Sequence, residues 1–163
     1  MKWIKFFISL EGRIGRKTYW RMSIVVIAVQ LVAIVISGVL LAALTMDDGP
    51  TEVGNDGSWF TTVPIIALFY PKFVIDAKRG HDRNIPLWVI GSFYACVAVR
   101  ELLVSFGWLT ILPNQNVISA TNVVSFVVTL LLGIVALALF VDLGFRKGTP
   151  GANQYGPDPL AKA

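Results

Sequence analysis

The chain has 163 residues, 55% of them hydrophobic and 15% charged, with a net charge of +4 and a mean hydropathy of +0.69. Soluble domains carry about a quarter charged residues, so this shortage of charge excludes an ordinary water-facing surface. The deciding feature is the presence of uncharged runs longer than a buried helix needs.

In chain order, Trp3, Phe6, Phe7 and Leu10 recur at helical spacing, which predicts an interfacial amphipathic helix that Gly12 and Gly15 end. Met22 to Thr45 is an uncharged run of 24 residues, long enough to cross a hydrocarbon layer about 30 Å thick. Trp59 to Ile75 is a shorter run, interrupted by Pro64 and Pro71. Leu87 to Leu112 is apolar except for Arg100 and Glu101, and Val117 to Val141 is a second uncharged run, of 25 residues. The expected architecture is an all-α integral membrane four-helix bundle in one domain, with spans near 22–45, 59–75, 87–108 and 117–141.

Tryptophans mark the expected ends of the spans, because indole prefers the headgroup level. Trp20, Trp59, Trp88 and Trp108 each sit where a span should meet water. Cytoplasmic segments retain Lys and Arg. Thirteen of the fourteen lie before the first span, between Lys72 and Arg83, or in the tail. The connection from Asp47 to Ser58 is acidic and rich in Gly and Pro. Both termini are therefore expected in the cytoplasm. The first run is longer than a signal-peptide core of about 7 to 15 residues, so an uncleaved anchor is expected. The single cysteine, Cys96, excludes an intramolecular disulfide. A pI of about 9.4 fits charge facing anionic lipid headgroups rather than nucleic acid.

Three polar segments fall on the predicted cytoplasmic side: Gly12-Arg13-Ile14-Gly15-Arg16 followed by Tyr19-Trp20, Lys78-Arg79-Gly80-His81-Asp82-Arg83, and Gly151 to Pro159 around Asn153-Gln154-Tyr155-Gly156-Pro157-Asp158. Together, and in this order between the spans, they resemble the YhaH-like bacterial inner-membrane family, catalogued as domain of unknown function 805. The match lies in Gly12, Arg13, Ile14, Arg16, Tyr19 and Trp20, then in Arg79, His81 and Asp82, then in Asn153, Tyr155, Gly156, Asp158 and Pro159. Lys78, Gly80 and Ile85-Pro86 depart from the usual pattern. The resemblance covers essentially the whole chain and implies a small four-helix membrane protein, with no established activity attached.

Each segment has a bland and a sharp reading. Arg13, Arg16, Lys17 and Arg21 are either topogenic charge touching lipid phosphate or, for Arg13 or Arg16, a bidentate partner of Asp82 or Asp158. Lys78 and Arg79 suit the last turn of a helix and Gly80 its left-handed stop, with Pro86 in the first turn of the next helix. His81, the only histidine, is either a catalytic or pH-sensing group tuned by Asp82 or part of a loop locked by hydrogen bonds. No nucleophile, cysteine partner or second histidine supports catalysis, so no catalytic residue, metal or cofactor is expected. The tail is expected to fold back with Tyr155 packed and Asp158 near an arginine.

Arg100 and Glu101 are intramembrane candidates, because charge at such depth is costly. Neighbouring side chains on a helix diverge by about 100°, so the two are not expected to pair with each other. Asp142 and Arg146 stand in the favoured acid-before-base order. Gly91 with Ala95 and Ser92 with Cys96 give small-residue spacings for a helix contact.

The sequence reads as a non-enzymatic membrane adaptor or structural component. Its basic cytoplasmic face is expected to bind anionic lipid, a partner membrane protein or a second copy, and not nucleic acid. The alternative is a small-solute or ion transporter using Arg100 and Glu101.

Overall fold

The computed structural model describes residues 6–45, 58–106, 108–109 and 120–160. The expected acidic loop from residue 47 to 57, the first five residues with Trp3, and the start of the fourth run at 117–119 lie outside the described residues. Among those described, the chain is helical with one isolated bridge, Asn153 to Gly156. Four long helices follow one another: α1 is Arg16–Thr45, α2 is Ser58–Asp82, α3 is Leu87–Ser105 and α4 is Ala120–Phe145.

Three of them, α1, α3 and α4, are long and apolar enough to cross a membrane. Of the four spans read from sequence, those on α1, α3 and α4 meet this measure among the described residues, and α2 does not. The last turns of α2 carry Lys72, Asp76, Lys78, Arg79 and Asp82, which lower its hydropathy. The segment from Lys72 to Asp82, expected within a basic connection, is helix. Pro64 and Pro71 lie inside α2 without ending it. In membrane helices, neighbouring groups can satisfy the carbonyls that proline frees.

Apolar side chains face outward along α1 and α4. Within their most apolar windows only 6% is buried, and Val39 and Leu137 are 65% and 63% exposed. This arrangement suits a hydrocarbon solvent, in which apolar surface need not be hidden. The densest packing lies at one end, which we call the basic end, where Ile14, Tyr19, Val26, Ile75 and Leu143 form a buried cluster. Residues 6–8 are helical, and Phe6 and Phe7 pack against this cluster, so their rings face protein rather than the bilayer surface.

Local geometry corrects several expectations. Gly80 does not stop α2, which continues to Asp82, and the left-handed residue is Asn84 at φ 58°. Gly80 serves packing instead, because a Cβ there would collide with the side chain of fully buried Ile90. The third helix ends at Ser105, short of Trp108. A Cβ on Gly91 would meet open space and Cys96 is exposed, so among the described residues no helix packs on the small-residue spacings of α3. Near that end of α3, the hydroxyls of Ser105 and Thr62 of α2 meet at 2.8 Å.

Candidate functional site: a double-arginine clamp at the basic end

The three polar segments converge on Asp82. Its Oδ1 accepts from Arg13 Nη2 at 2.9 Å and Nε at 3.2 Å, and its Oδ2 accepts from Arg79 Nη1. All three side chains are nearly sealed from solvent, with 1% exposure for each arginine and 4% for the aspartate. Buried charges persist only when paired and fully hydrogen-bonded, and here the remaining guanidinium donors are supplied with carbonyls.

Arg13 also donates to the carbonyls of Thr149 at 2.7 Å, Gly151 at 2.8 Å and Gly156 at 3.3 Å. It therefore ties the segment before α1 to the tail. Arg79 donates to the carbonyls of Leu143 at 2.8 Å and Arg146 at 2.6 Å, and to Ile14 at 3.4 Å. The Leu143 and Arg146 carbonyls lie at the C-terminus of α4, where carbonyls lack intrahelical partners and carry negative partial charge, while the Ile14 carbonyl belongs to the segment before α1. The cation expected to cap its own helix caps a neighbouring one instead.

The tail is held by a second layer of bonds. The Thr149 N–H and hydroxyl donate to the Asp82 carbonyl at 2.8 and 3.0 Å, and Asn153 Nδ2 donates to the His81 carbonyl at 2.9 Å. A Cβ on Gly148 would overlap the Asp82 carboxylate, so only glycine lets the chain pass there. Gly156 at φ 134° permits the turn closed by the paired bonds between Asn153 and Gly156.

His81 is buried and stacks flat on Tyr155, with ring centroids 3.9 Å apart and planes within 5°. Its Nδ1 lies 3.3 Å from the Gly12 carbonyl, which can only accept, so that nitrogen carries the proton. Burial holds the imidazole pKa below its usual value, and the Lys78 charge adds to this against the Gly12 bond. Asp82 spends its oxygens on the arginines, so it is not the group that tunes His81. Lys78 is buried, donating to the Phe6 carbonyl at 2.6 Å with its ammonium 4.3 Å from the Phe6 ring centre.

Asp158, expected beside an arginine, feels the Arg13 charge but is held chiefly by backbone. It accepts from the N–H groups of Leu160 at 2.8 Å and Gly151 at 3.0 Å, which keep its carboxyl below the usual range. Trp20, expected as a headgroup anchor, packs edge-on to Phe140 and Phe145 and donates to the Gly144 carbonyl at 3.1 Å. Arg16 is exposed and donates to the Phe145 carbonyl at 3.3 Å. The predicted pair of Asp142 with Arg146 forms at 2.9 Å, and Asp142 also accepts from Arg83 at 3.2 Å, a link the sequence reading missed.

Away from this end, Arg100 and Glu101 pair at 2.5 Å, contrary to the expectation from their adjacency. Long side chains can curl back across a 100° separation when hydrocarbon surrounds them, since an unpaired charge there costs more. Arg100 also reaches the Thr129 hydroxyl of α4 at 3.3 Å. Among the described residues, no group of three or more His, Cys, Asp or Glu is placed to hold a metal ion.

Buried charge drawn inward at one end and apolar side chains turned outward elsewhere define a helical transmembrane protein. The profile of the family described as "Protein of unknown function (DUF805)" matches residues 7–157, and the chain belongs to that family. It is similar to the "Inner membrane protein YhaH" of Escherichia coli (strain K12), 25% identical over 159 residues that cover 98% of this chain and 93% of the relative. It is also similar to the "Uncharacterized protein YiiR" of the same strain, 27% identical over 154 residues covering 94% and 88%. No solved structure matches the chain significantly.

Proposed function

We propose that the chain crosses the bacterial inner membrane four times, with α2 as the fourth crossing and both termini in the cytoplasm, and acts without catalysis as an adaptor or structural component. Its basic end engages anionic groups of inner-leaflet lipid or of a partner protein. The distribution of Lys and Arg supports the orientation.

The observation that carries this reading is a cavity of about 320 Å³ at the basic end, lined by Arg16, Arg79, Asp82, Lys147, Gly148 and Asp158 among others. Arg13 and Arg79 are consumed by the clamp, so they shape the platform rather than meet a partner. Among the described residues, the exposed cations at this end are Arg16, Lys17, Arg21, Arg146 and Lys147. Clusters of this kind attract acidic headgroups and acidic protein surfaces. The transport reading draws less support, because Arg100 and Glu101 spend their charge on each other.

A photocrosslinking residue placed at the exposed Gln154 tests the proposal in native membranes. The expected result is discrete protein or anionic-lipid adducts that disappear when Arg16 and Lys147 are both changed to Glu. Adducts that are indifferent to this charge reversal would overturn it.

A further inference from the structure

A second polar cluster lies outside the clamp, and its ionisable pair, Lys72 and Asp76, belongs to none of the three motifs read from the sequence. On α2, the Lys72 ammonium pairs with Asp76 one turn later, and the other Asp76 oxygen accepts from the Tyr94 hydroxyl of α3 at 2.6 Å. The ammonium also stands 5.5 Å from the centre of the Tyr19 ring of α1. These groups edge a cavity of about 420 Å³ whose other wall is α4, with Ala136, Leu137 and Phe140. That volume is within the range of about 300–1,000 Å³ that small-ligand sites occupy.

We infer that this cavity seats the phosphate end of one phospholipid molecule, its phosphate on Lys72 and the start of an acyl chain along α4, the rest of the lipid lying in the bilayer. Three observations support this occupant. Leu137 and Phe140 are 63% and 45% exposed, so the α4 wall opens sideways into what surrounds a transmembrane protein, which is hydrocarbon. The Asp76 carboxylate is engaged on both oxygens, whereas among the described residues Lys72 donates one of its three N–H groups, and its side chain is 21% exposed. An ammonium with open donors is a phosphate-binding group, and N–H donors left unfilled beside hydrocarbon are costly even when one of them is paired. Finally, Lys72 reaches along the helix toward Asp76, three residues or about 4.5 Å from the level of Arg79. That direction is the one a snorkelling lysine takes toward the headgroup layer.

The inference rests on the transmembrane class and not on the role proposed for the basic end. It is tested by reconstituting the full chain in vesicles of mixed phosphatidylethanolamine and phosphatidylglycerol, extracting it in mild detergent and weighing it by native mass spectrometry. The wild-type chain is expected to keep one phospholipid. Lys72→Ala removes the donor, and Ala136→Trp fills the groove while leaving Lys72 and Asp76 in place. Each should lower occupancy about tenfold, whereas Lys72→Arg and the basic-end variant Lys147→Ala should retain it. Ala136→Trp keeps the test decisive if Lys72→Ala fails to fold. The inference is overturned by a wild-type chain free of lipid or a lipid-free dimer. It is equally overturned by occupancy unchanged in both groove variants, or by loss in Lys147→Ala alone.

Discussion

Arg13 and Asp82 stand 69 positions apart in sequence, and their side chains meet at 2.9 Å with 1% and 4% of their surface exposed. The contact joins the segment before α1 to the end of α2, and through the same guanidinium to the tail. Removing one partner of a buried pair costs about 3–5 kcal/mol, because it strands the other charge and its carbonyls. Arg13→Ala should therefore lose about 3 kcal/mol, the low end, since Asp82 keeps Arg79. Arg13→Lys should recover only part, lacking the fork that reaches several acceptors at once. Thermal unfolding in detergent micelles measures both.

Gly148 and Gly151 make a paired test of tail packing. Gly148→Ala places a methyl group against the Asp82 carboxylate, whereas a Cβ on Gly151 meets open space and only its φ of 75° is strained. The first should release the tail from the clamp and the second should cost about 1–2 kcal/mol. Limited proteolysis of the tail in vesicles is expected to accelerate far more in Gly148→Ala.

Stability should fall as pH drops below neutrality. His81 has a folded pKa below its ordinary value of 6.5, chiefly through burial. The unfolded chain then binds the proton more readily, so the contribution is full above about 6.5 and is lost as pH falls toward the depressed folded pKa. The groups around the ring are Lys78 on α2, the Gly12 carbonyl and the Tyr155 ring. Melting temperature compared at pH 8 and about pH 5.5 should show this loss, and His81→Phe should flatten it while keeping the stack on Tyr155. The backbone bonds to Asp158 act in a separate window, lost only as pH falls through its depressed carboxyl pKa.

Arg100→Leu by itself leaves Glu101 without its cation in an apolar setting, and a loss of the order of 3 kcal/mol is expected. Replacing both residues with Leu should restore most of it, since apolar substitutes for a buried pair are often neutral. Unfolding of the three chains side by side gives the answer. A double variant as unstable as the single one would show that the pair does more than neutralise itself.

Orientation is open to direct labelling. In a Cys96→Ser background, Lys147→Cys should react with a membrane-impermeant maleimide only after the inner membrane is opened. Trp108→Cys, just beyond the other end of α3, should react before it is opened. The reverse pattern would place the basic end outside.

Apolar run length by itself marked this as a helical membrane chain, because mostly apolar runs of 24 and 25 residues without charge match the length that crossing a hydrocarbon layer needs. The three polar segments were also legible, as was the pair of Asp142 with Arg146, whose spacing lies within one helix turn. What the sequence could not show was where the charges point. Lys78 and Arg79 look alike in a list of cations, yet one holds the Phe6 carbonyl and the other caps α4. Lys72, counted as one more topogenic charge, and Asp76 and Tyr94, passed over altogether, form a cluster across α2 and α3. Charge count and apolar length are one-dimensional quantities, and the bilayer reads them directly. A guanidinium's partners lie on other helices, and only the packing of those helices decides which carbonyls it meets.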